Sequence, residues 1–465
     1  MFGELWKRQL VEDITSSKFL INFVIILASV IGFSLLFLGH FQSLEESYSK
    51  NTNANDQLLS ESSKELVRLL SAPLEFGMKP GPFLFISDGY EEKIPKGLVF
   101  RPKGYTPDIK ETTGLKKASS PDLSVFYSTD LTFIVQFLLS FFAVLLAFDA
   151  FTSEKEKGTL RLVYSNPVKR GHLVLAKYMS ALLAIGLPLL LGLIIGLILL
   201  SLSSVVPISS GFISGLSLFF IISLLYLSVF VLIGLLLSAF SHNSKNSLVL
   251  CLLVWIFLVV ILPKSSGLFL NLKRFDVPTE QEIEERVRKV EREVWNRHSH
   301  EDWMTRSGQD ASTKLNVAVS NEEQRARQEV YDLYLRKKIG AVRILQSVNF
   351  ISPSSLFEYS ASALAGTGLF HFEHLWKQVT QYRRDFLNFF MAEDRKDDQS
   401  DHLYFHPDYL SRRPVDFNRI PKFEEKDIKT GERLKDAAKY LVLLGLYNIF
   451  LLILVFNKFQ KYDVR

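Results

Sequence analysis

Long uninterrupted apolar stretches dominate the hydropathy pattern of this chain. The longest runs from Tyr178 to Ser244, 67 residues without Asp, Glu, Lys or Arg, in a sequence of which 22% is charged. A helix needs about 20 apolar residues to cross the roughly 30 Å hydrocarbon core of a bilayer. The pattern therefore predicts six membrane-spanning helices, at 19–39, 131–149, 178–200, 213–240, 247–263 and 440–457.

The longest apolar run is too long for one helix. A polar turn that contains Pro207 interrupts it at 201–212, so we expect spans three and four to form a helical hairpin. Gly192 and Gly196 lie one helical turn apart in span three and would permit close helix packing, although small residues are common in membrane helices.

Lys and Arg mark one side of the predicted spans. Short cytoplasmic segments are enriched in these residues. They concentrate here at Lys7, Arg8, Lys18, Lys155, Lys157, Arg161, Lys169, Arg170, Lys177, Lys245, Lys458, Lys461 and Arg465. We expect a multi-pass protein of the bacterial inner membrane with both termini in the cytoplasm. The loop 150–177 and the tail 458–465 would be cytoplasmic, and the inserts 40–130 and 264–439 extracytoplasmic.

The first 18 residues have an amphipathic pattern. Apolar side chains recur at helical spacing from Phe2 to Ile14, with charged residues between them. This predicts a cytoplasmic helix at 1–18 that lies in the headgroup plane; a polar leader is the alternative. No small-residue cleavage motif follows the first span, so we expect that span to be an uncleaved anchor.

Composition and short motifs exclude several classes of function. The single cysteine, Cys251, leaves no intrachain disulfide, and the net charge of +5 is spread without a basic block, so we expect no nucleic-acid partner. No Gly-Lys dipeptide occurs, so the chain has no phosphate-binding loop of its own. Hydrolase motifs are also missing from the sequence, and we predict no catalytic residues, no cofactor and no enzymatic activity in this chain.

The loop between spans two and three carries an ordered motif. It reads Glu154-x-Glu156-x-Gly158-Thr159-Leu-Arg161, then Ser-x-Pro167-Val-x-Arg, and ends at Lys177. A short charged helix interrupted by glycine and ended by proline is the local prediction. A generic positively charged loop is the alternative interpretation.

This motif and its place between the spans resemble ABC-2 type transporter permeases, including the group linked to nitrous oxide reductase maturation. The resemblance implies that the loop is a coupling helix that docks on a separate ATPase subunit, which binds ATP and Mg²⁺. It also implies a second permease subunit, identical or different. The coupling residues that it implies are Glu154, Glu156, Gly158, Thr159, Arg161, Pro167 and Lys177. It assigns no substrate-binding residue, and the two large inserts depart from the family pattern.

The two inserts have different patterns. In 264–439, a capping box at Thr279–Glu282 and a second helix from about Ser320 to Val348 predict a long antiparallel hairpin. An amphipathic helix with apolar positions from Leu369 to Phe390 follows, for core packing or, alternatively, for contact with the outer leaflet. In 40–130, a helical piece at Leu58–Leu70 and short apolar runs between Gly and Pro predict a small α/β lobe.

Few groups in the chain suggest ligand chemistry. The polar residues of the spans, such as Gln136, Ser140, Tyr447 and Asn448, form no chain of acids, which counts against an ion-coupled carrier. Clustered histidines invite a metal site, but they lack Cys or Met support and we predict none. These histidines are His298, His300, His371, His374, His402 and His406.

The sequence leaves three functions open. The first is a permease that moves an unidentified substrate with energy from a separate ATPase. The second is a mechanotransmitting complex whose external hairpin, 280–348, acts on periplasmic partners without moving a cargo. The third is a membrane-bound enzyme that uses external residues.

Overall fold

The computed structural model describes residues 2–89, 97–102, 104–107, 130–159, 170–264, 278–298, 309–403 and 407–460. Within this part of the chain, six helices are long and apolar enough to cross a bilayer. They are Ser17–Ser62, Leu131–Glu156, Arg170–Ser203, Ser210–Phe240, Ser244–Lys264 and Thr430–Gln460. The predicted fold, an α-helical polytopic membrane protein, is confirmed.

The helices and strands follow one another in a simple order. In chain order, the elements are α1 (Phe2–Ile14), α2 (Ser17–Ser62), α3 (Leu66–Leu69), β1 (Leu74–Gly77), β2 (Gly97–Arg101), β3 (Gly104–Pro107), α4 (Leu131–Phe133 and Ser140–Ala147, joined by a π-helical Ile134–Leu139), α5 (Thr152–Glu156), α6 (Arg170–Ser203), α7 (Ser210–Phe240), α8 (Ser244–Ile256, extended by a π-helical Phe257–Ile261), α9 (Glu280–His298), α10 (Gln309–Val348), α11 (Pro353–Ala365), α12 (Gly368–Asp394) and α13 (Thr430–Gln460).

The first span continues well beyond its apolar stretch. Helix α2 extends to Ser62, whereas the hydropathy pattern places the end of the span at residue 39. Residues 40–62 contain neither Gly nor Pro, so nothing in the sequence interrupts the helix. Its polar half projects roughly 35 Å past the span at 1.5 Å per residue. There, the Asn55 side chain bonds the backbone of Glu75 in β1 through both its amide and its carbonyl.

The spans pack around α7, the most enclosed of them. Helix α2 packs against α6 at Gly192 and Gly196. A Cβ at Gly192 would come within 3.1 Å of Val30, and one at Gly196 within 2.8 Å of Ser34 Oγ. The two glycines therefore allow the close approach of α2 and α6.

Helix α11 belongs to the large insert but packs among the spans. Ten of its thirteen residues are buried. The Phe357 ring stacks on Tyr226 of α7 with centroids 4.4 Å apart. The Ser352 hydroxyl, which also caps α11, donates to the carbonyl of Leu258 in α8. A short, weakly polar helix of this kind falls below the length that identifies a span, so hydropathy alone did not place it in the core.

Parts of both inserts form a second apolar core. The three strands are antiparallel in the order β1–β2–β3, with Leu74 opposite Phe100. The apolar face of α12, which includes Phe372, Val379 and Phe386, is buried in the same cluster. This face therefore serves core packing, as expected, and the leaflet alternative is not needed to explain it.

Helices α9 and α10 form the predicted antiparallel hairpin. Ion pairs join Glu291 to Arg327 and Arg297 to Glu322. The capping box is present, since Thr279 N donates to Glu282 Oε2 at 2.8 Å and Glu282 N to Thr279 Oγ1 at 3.3 Å. Helix α10 begins at Gln309, earlier than the sequence pattern indicates. Residues 309–319 contain neither Gly nor Pro, so nothing there interrupts the helix.

Three of the six clustered histidines contact carboxylates. His298 contacts Glu322, His371 contacts Glu425 and His402 contacts Asp394. His300 and His406 lie outside the described residues. Among the residues that are described, no group of three or more His, Cys, Asp or Glu side chains is arranged to hold a metal ion.

Candidate functional site at the coupling segment

The segment after span two lies at the end of the bundle where α1, the ends of α7 and α13, and the start of α6 meet; we call this end the α1 face. Arg170 at the start of α6 donates to the carbonyl of Gln460 at the end of α13, 2.7 Å away. Lys18 of α2 pairs with Asp149, just after α4. Helix α5 is thus surrounded by the ends of several spans.

The first turn of α5 is fixed to the end of α7. The backbone N–H groups of Phe151 and Thr152 both donate to Ser238 Oγ, at 2.9 and 3.1 Å. The first amides of a helix lack partners within the helix. The Ser238 hydroxyl of α7, 86 residues after Thr152, accepts these hydrogen bonds instead.

Glu154 turns inward and pairs with Lys177 of α6. Their charged atoms are 2.7 Å apart, and the Lys177 side chain is only 4% exposed. Lys177 also donates to Gln9 Oε1 of α1 at 3.3 Å. The second carboxylate oxygen of Glu154 is buried without a hydrogen-bond partner among the described residues. Because removing one partner of a buried ion pair leaves the other charge uncompensated, α1, α5 and α6 depend on one another here.

Lys155 holds α5 to the C-terminal end of α7. Its ammonium group donates to the carbonyls of Ser238, Ala239 and Ser241 at 3.2, 2.8 and 2.9 Å. These carbonyls lie at the negative end of the helix dipole, where a cation is stabilising.

Glu156 holds α5 to the start of α8. Its two carboxylate oxygens accept from the backbone N–H and the hydroxyl of Ser244, at 2.6 and 3.0 Å. A carboxylate at a helix N-terminus satisfies an orphan amide and complements the dipole. The three consecutive residues 154–156 therefore each contact a different span.

The end of α5 is open. Gly158 has a φ of +69°, and a Cβ there would meet nothing within 4 Å among the described residues. The left-handed conformation is the usual way for a glycine to end a helix. Glu156, Lys157 and Gly158 are exposed, whereas Phe151 and Thr152 are buried.

Helix α1 is attached to α6 as well as to Lys177. Ser180 of α6 donates to Asp13 Oδ2 at 2.5 Å, and the Phe2 ring meets His172 edge-on. Burial raises the pKa of the Asp13 carboxyl above its ordinary value, against the opposing effect of the Ser180 hydrogen bond. The amphipathic N-terminal segment is therefore a packed part of the α1 face.

Five of the seven residues implied for coupling lie in the described part of the chain. Glu154, Glu156, Gly158 and Thr159 form or flank α5, and Lys177 contacts Glu154; Thr159 Oγ1 lies 3.4 Å from the Glu154 carbonyl. Arg161 and Pro167 lie outside the described residues. Sequence reasoning missed the anchoring partners, which are Gln9, Asp13, Lys155, Ser180, Ser238 and Ser244. Lys155 stands inside the motif, but the other five carry no local signal.

The whole chain has the pattern of one transporter family. Residues 5–464 match the family model of the ABC-2 family transporter protein. The chain belongs to the ABC-2 transporter family. Among curated ABC transporter proteins, it is similar to one described as "Probable ABC transporter permease protein NosY", from Pseudomonas aeruginosa, with 32% identity over 133 residues. The match covers 28% of this chain and 48% of that relative, so it spans about half the relative's length.

Several polar residues inside this ABC-2 protein's spans bond neighbouring helices. Gln136 of α4 donates to Ser354 Oγ of α11 at 2.6 Å, and Tyr226 donates to the Gln136 carbonyl at 2.9 Å. Asn448 of α13 bonds both Ser228 and the Leu225 carbonyl of α7. These contacts join helices to one another.

Proposed function

We propose that this chain is the permease subunit of an ABC-2 transporter in a bacterial inner membrane, with the α1 face in the cytoplasm, and that it moves a substrate with energy from a separate ATPase subunit. The ATPase would bind ATP and Mg²⁺, and a second permease subunit would complete the assembly. The observation that carries the proposal is the attachment of one short helix, α5, to α6, α7 and α8 through consecutive residues Glu154, Lys155 and Glu156.

These three attachments would transmit a displacement of α5 to α6, α7 and α8. When the ATPase moves against the exposed end of α5, Glu154 carries the displacement to Lys177 on α6. Lys155 carries it to the end of α7, and Glu156 carries it to the start of α8. Charge-assisted hydrogen bonds are stronger and more directional than contacts between neutral groups, so the helix ends follow α5.

The exposure pattern divides the motif into two roles. Glu154 and Lys177 face each other inside the protein and are positioning residues. Lys157 and Gly158 are exposed at the end of α5 and are the groups available for contact with the ATPase.

Cysteine cross-linking tests this proposal. Cys251 is the only cysteine of the chain and is buried, so Lys157→Cys introduces one accessible thiol on α5. We expect it to cross-link to an ATPase subunit that co-purifies with the tagged chain, identified by its own phosphate-binding loop and its ATP hydrolysis. Lys435→Cys, exposed at the opposite end of α13, is the matched control and should give no such product.

The same two variants test the orientation. In intact spheroplasts, a membrane-impermeant maleimide should label Lys435→Cys, and it should label Lys157→Cys only after permeabilisation. The reverse labelling would overturn the cytoplasmic assignment, and the absence of any ATPase from cross-linked and co-purified material would overturn the permease assignment.

Mechanotransmission to a periplasmic partner is the second candidate, and the length of α2 favours it. This helix is continuous from the α1 face to Leu59, which packs in one apolar cluster with Ile283, Val287 and Tyr334 of the hairpin. A short linker in place of 291–327 removes the distal hairpin and keeps these residues. A transporter should retain movement of its substrate, whereas a transmission device should keep ATP hydrolysis and lose its effect on the envelope.

A further inference from the structure

Helix α6 is continuous over Arg170–Ser203, but its two halves are held by different kinds of contact. Side chains tie the inner half to the α1 face. Lys177 pairs with Glu154 of α5, and Ser180 donates a hydrogen bond to Asp13 of α1. Because these links are charged or charge-assisted, the inner half of α6 follows α1 and α5.

The outer half of α6 packs directly against α2. A Cβ at Gly192 would come within 3.1 Å of the Val30 side chain, and one at Gly196 within 2.8 Å of Ser34 Oγ. The two contacts are four residues apart on both helices, so α2 and α6 run parallel and in register here. Small residues at such a contact let two membrane helices pack closely. The outer half of α6 therefore follows α2.

Between the two halves lies the weakest turn of α6. Pro188 is inside the helix and has no N–H, so the carbonyl of Ala184 has no donor four residues further on. The proline ring also crowds that carbonyl. Gly186 adds backbone freedom in the same turn. Proline is a common cause of sharp bends in long helices, so this turn is where α6 bends most easily.

Helix α7 supports this turn from the centre of the bundle. A Cβ at Gly186 would come within 2.9 Å of Leu224 Cδ2, so this α7 side chain rests on the α6 backbone beside the missing hydrogen bond. Ala184 and Pro188 are buried, and α7 is the most enclosed span. Helices α2, α6 and α7 lie wholly within the described part of the chain. The turn therefore bends against a packed neighbour.

We propose that residues 184–188 are a hinge, at which the inner half of α6 bends with α5 while the outer half stays packed on α2. The inference rests on the proposed function, because the ATPase supplies the movement of α5. When α5 is displaced, Lys177 carries the inner half with it, and no hydrogen bond from residue 188 has to break. The hinge converts a displacement at the α1 face into a change of helix angle within the membrane.

A disulfide distinguishes bending of α6 from sliding of the whole helix along α2. A Cβ added at Gly196 lies 3.9 Å from Ser34 Cβ, a usual separation across a disulfide, so Ser34→Cys with Gly196→Cys should form one on oxidation. Cys251 is buried and should not compete. The oxidised chain should stimulate the ATPase as the reduced chain does. Loss of stimulation on oxidation, with recovery on reduction, would overturn the hinge.

Stiffening the turn should have the opposite result. In Pro188→Ala, alanine supplies the missing N–H and favours the helix, so the variant should fold and insert but stimulate ATP hydrolysis about fivefold less. Pro207→Ala, at an exposed site in the turn between α6 and α7, is the matched control and should stimulate normally. Normal stimulation by a well-folded Pro188→Ala chain would overturn the proposal.

Hydrogen exchange of the purified full chain in lipid nanodiscs tests the hinge without the ATPase. Peptides over 181–190 should exchange about fivefold faster than peptides over 191–200, because local opening exposes amides near the missing bond. Pro188→Ala should remove this difference, and Pro207→Ala should keep it. Equal exchange of the two segments in the unaltered chain would overturn the hinge and leave the proposed function standing. Fast exchange at the hinge in a chain that stimulates no ATPase would support the hinge and overturn the proposed function.

Discussion

The ammonium group of Lys177 on α6 lies 2.7 Å from a carboxylate oxygen of Glu154 on α5, and the same ammonium group reaches Gln9 on α1. One buried cation therefore joins the N-terminal helix, α5 and the third span. It makes the position of α5 dependent on α6, because neither charge can leave the other without being stranded in a poorly solvated site.

Loss of the Lys177 charge should weaken the fold and the coupling together. In Lys177→Met, the Glu154 carboxylate, whose side chain is 23% exposed, stays partly buried without a counter-charge, and we expect a loss of about 2–3 kcal/mol in stability. Thermal unfolding of the purified protein measures this. Lys157→Met removes an exposed charge from the same loop and should leave stability nearly unchanged while lowering stimulation of the ATPase. Equal stability of the two variants would contradict the role of the buried pair.

Position 158 should require a left-handed backbone. Gly158→Pro is incompatible with a φ of +69°, and we expect the protein to insert into the membrane but to lose stimulation of ATP hydrolysis. Gly158→Ala should cost ~1 kcal/mol, and Gly158→Asn should be tolerated best because asparagine adopts this conformation more readily. Membrane fractionation and ATPase assays in liposomes measure both effects. Normal stimulation with proline at this position would show that the end of α5 does not transmit movement.

Stability should depend on the ionisation of Asp130, just outside the second span. Desolvation raises the pKa of this half-buried residue from its ordinary 3.8 to about 7, despite hydrogen bonds from the backbone N–H groups of Phe133 and Asp88. The folded state therefore holds the proton more tightly than the unfolded state. Stability falls as pH rises from about 4 to about 7, and the full cost is present above pH 7.

Asp130→Asn isolates that dependence. The amide keeps an acceptor for the Phe133 N–H and cannot ionise, so the melting temperature of the variant relative to the unaltered protein should rise between pH 4 and pH 8. Asp401→Asn, at an exposed site of the large insert, is the control and should show a constant difference. A pH-independent difference for Asp130→Asn would show that the carboxyl titrates as it does in water.

The spans were predictable because the bilayer imposes a length and a polarity on each of them. The polar half of α2 and the short helix α11 were not, since neither is apolar enough or long enough for that criterion. α11 is held in the core by particular contacts, such as Phe357 on Tyr226 and Ser352 on Leu258.

The motif in and after α5 was visible in the sequence in its order and spacing, but its contacts were not predictable. Glu156 and Ser244 are 88 residues apart, and Glu154 and Lys177 are joined only because α5 turns one face inward. A local pattern records charge and helix-breaking residues, whereas the pairing of two distant side chains depends on how the spans pack. For the same reason, Lys155 was counted only among the positive charges that mark one side of the spans, although its ammonium group caps the end of α7.

A charge exchange between residues 154 and 177 tests the central claim most directly. ATP hydrolysis stimulated by the reconstituted permease is measured for Glu154→Lys, for Lys177→Glu and for the double variant. Each single change places like charges about 3 Å apart and should abolish stimulation, and the double change should restore a substantial part of it. Single variants that fold, insert and stimulate hydrolysis as the unaltered chain does would contradict the claim that α5 moves the spans through this pair.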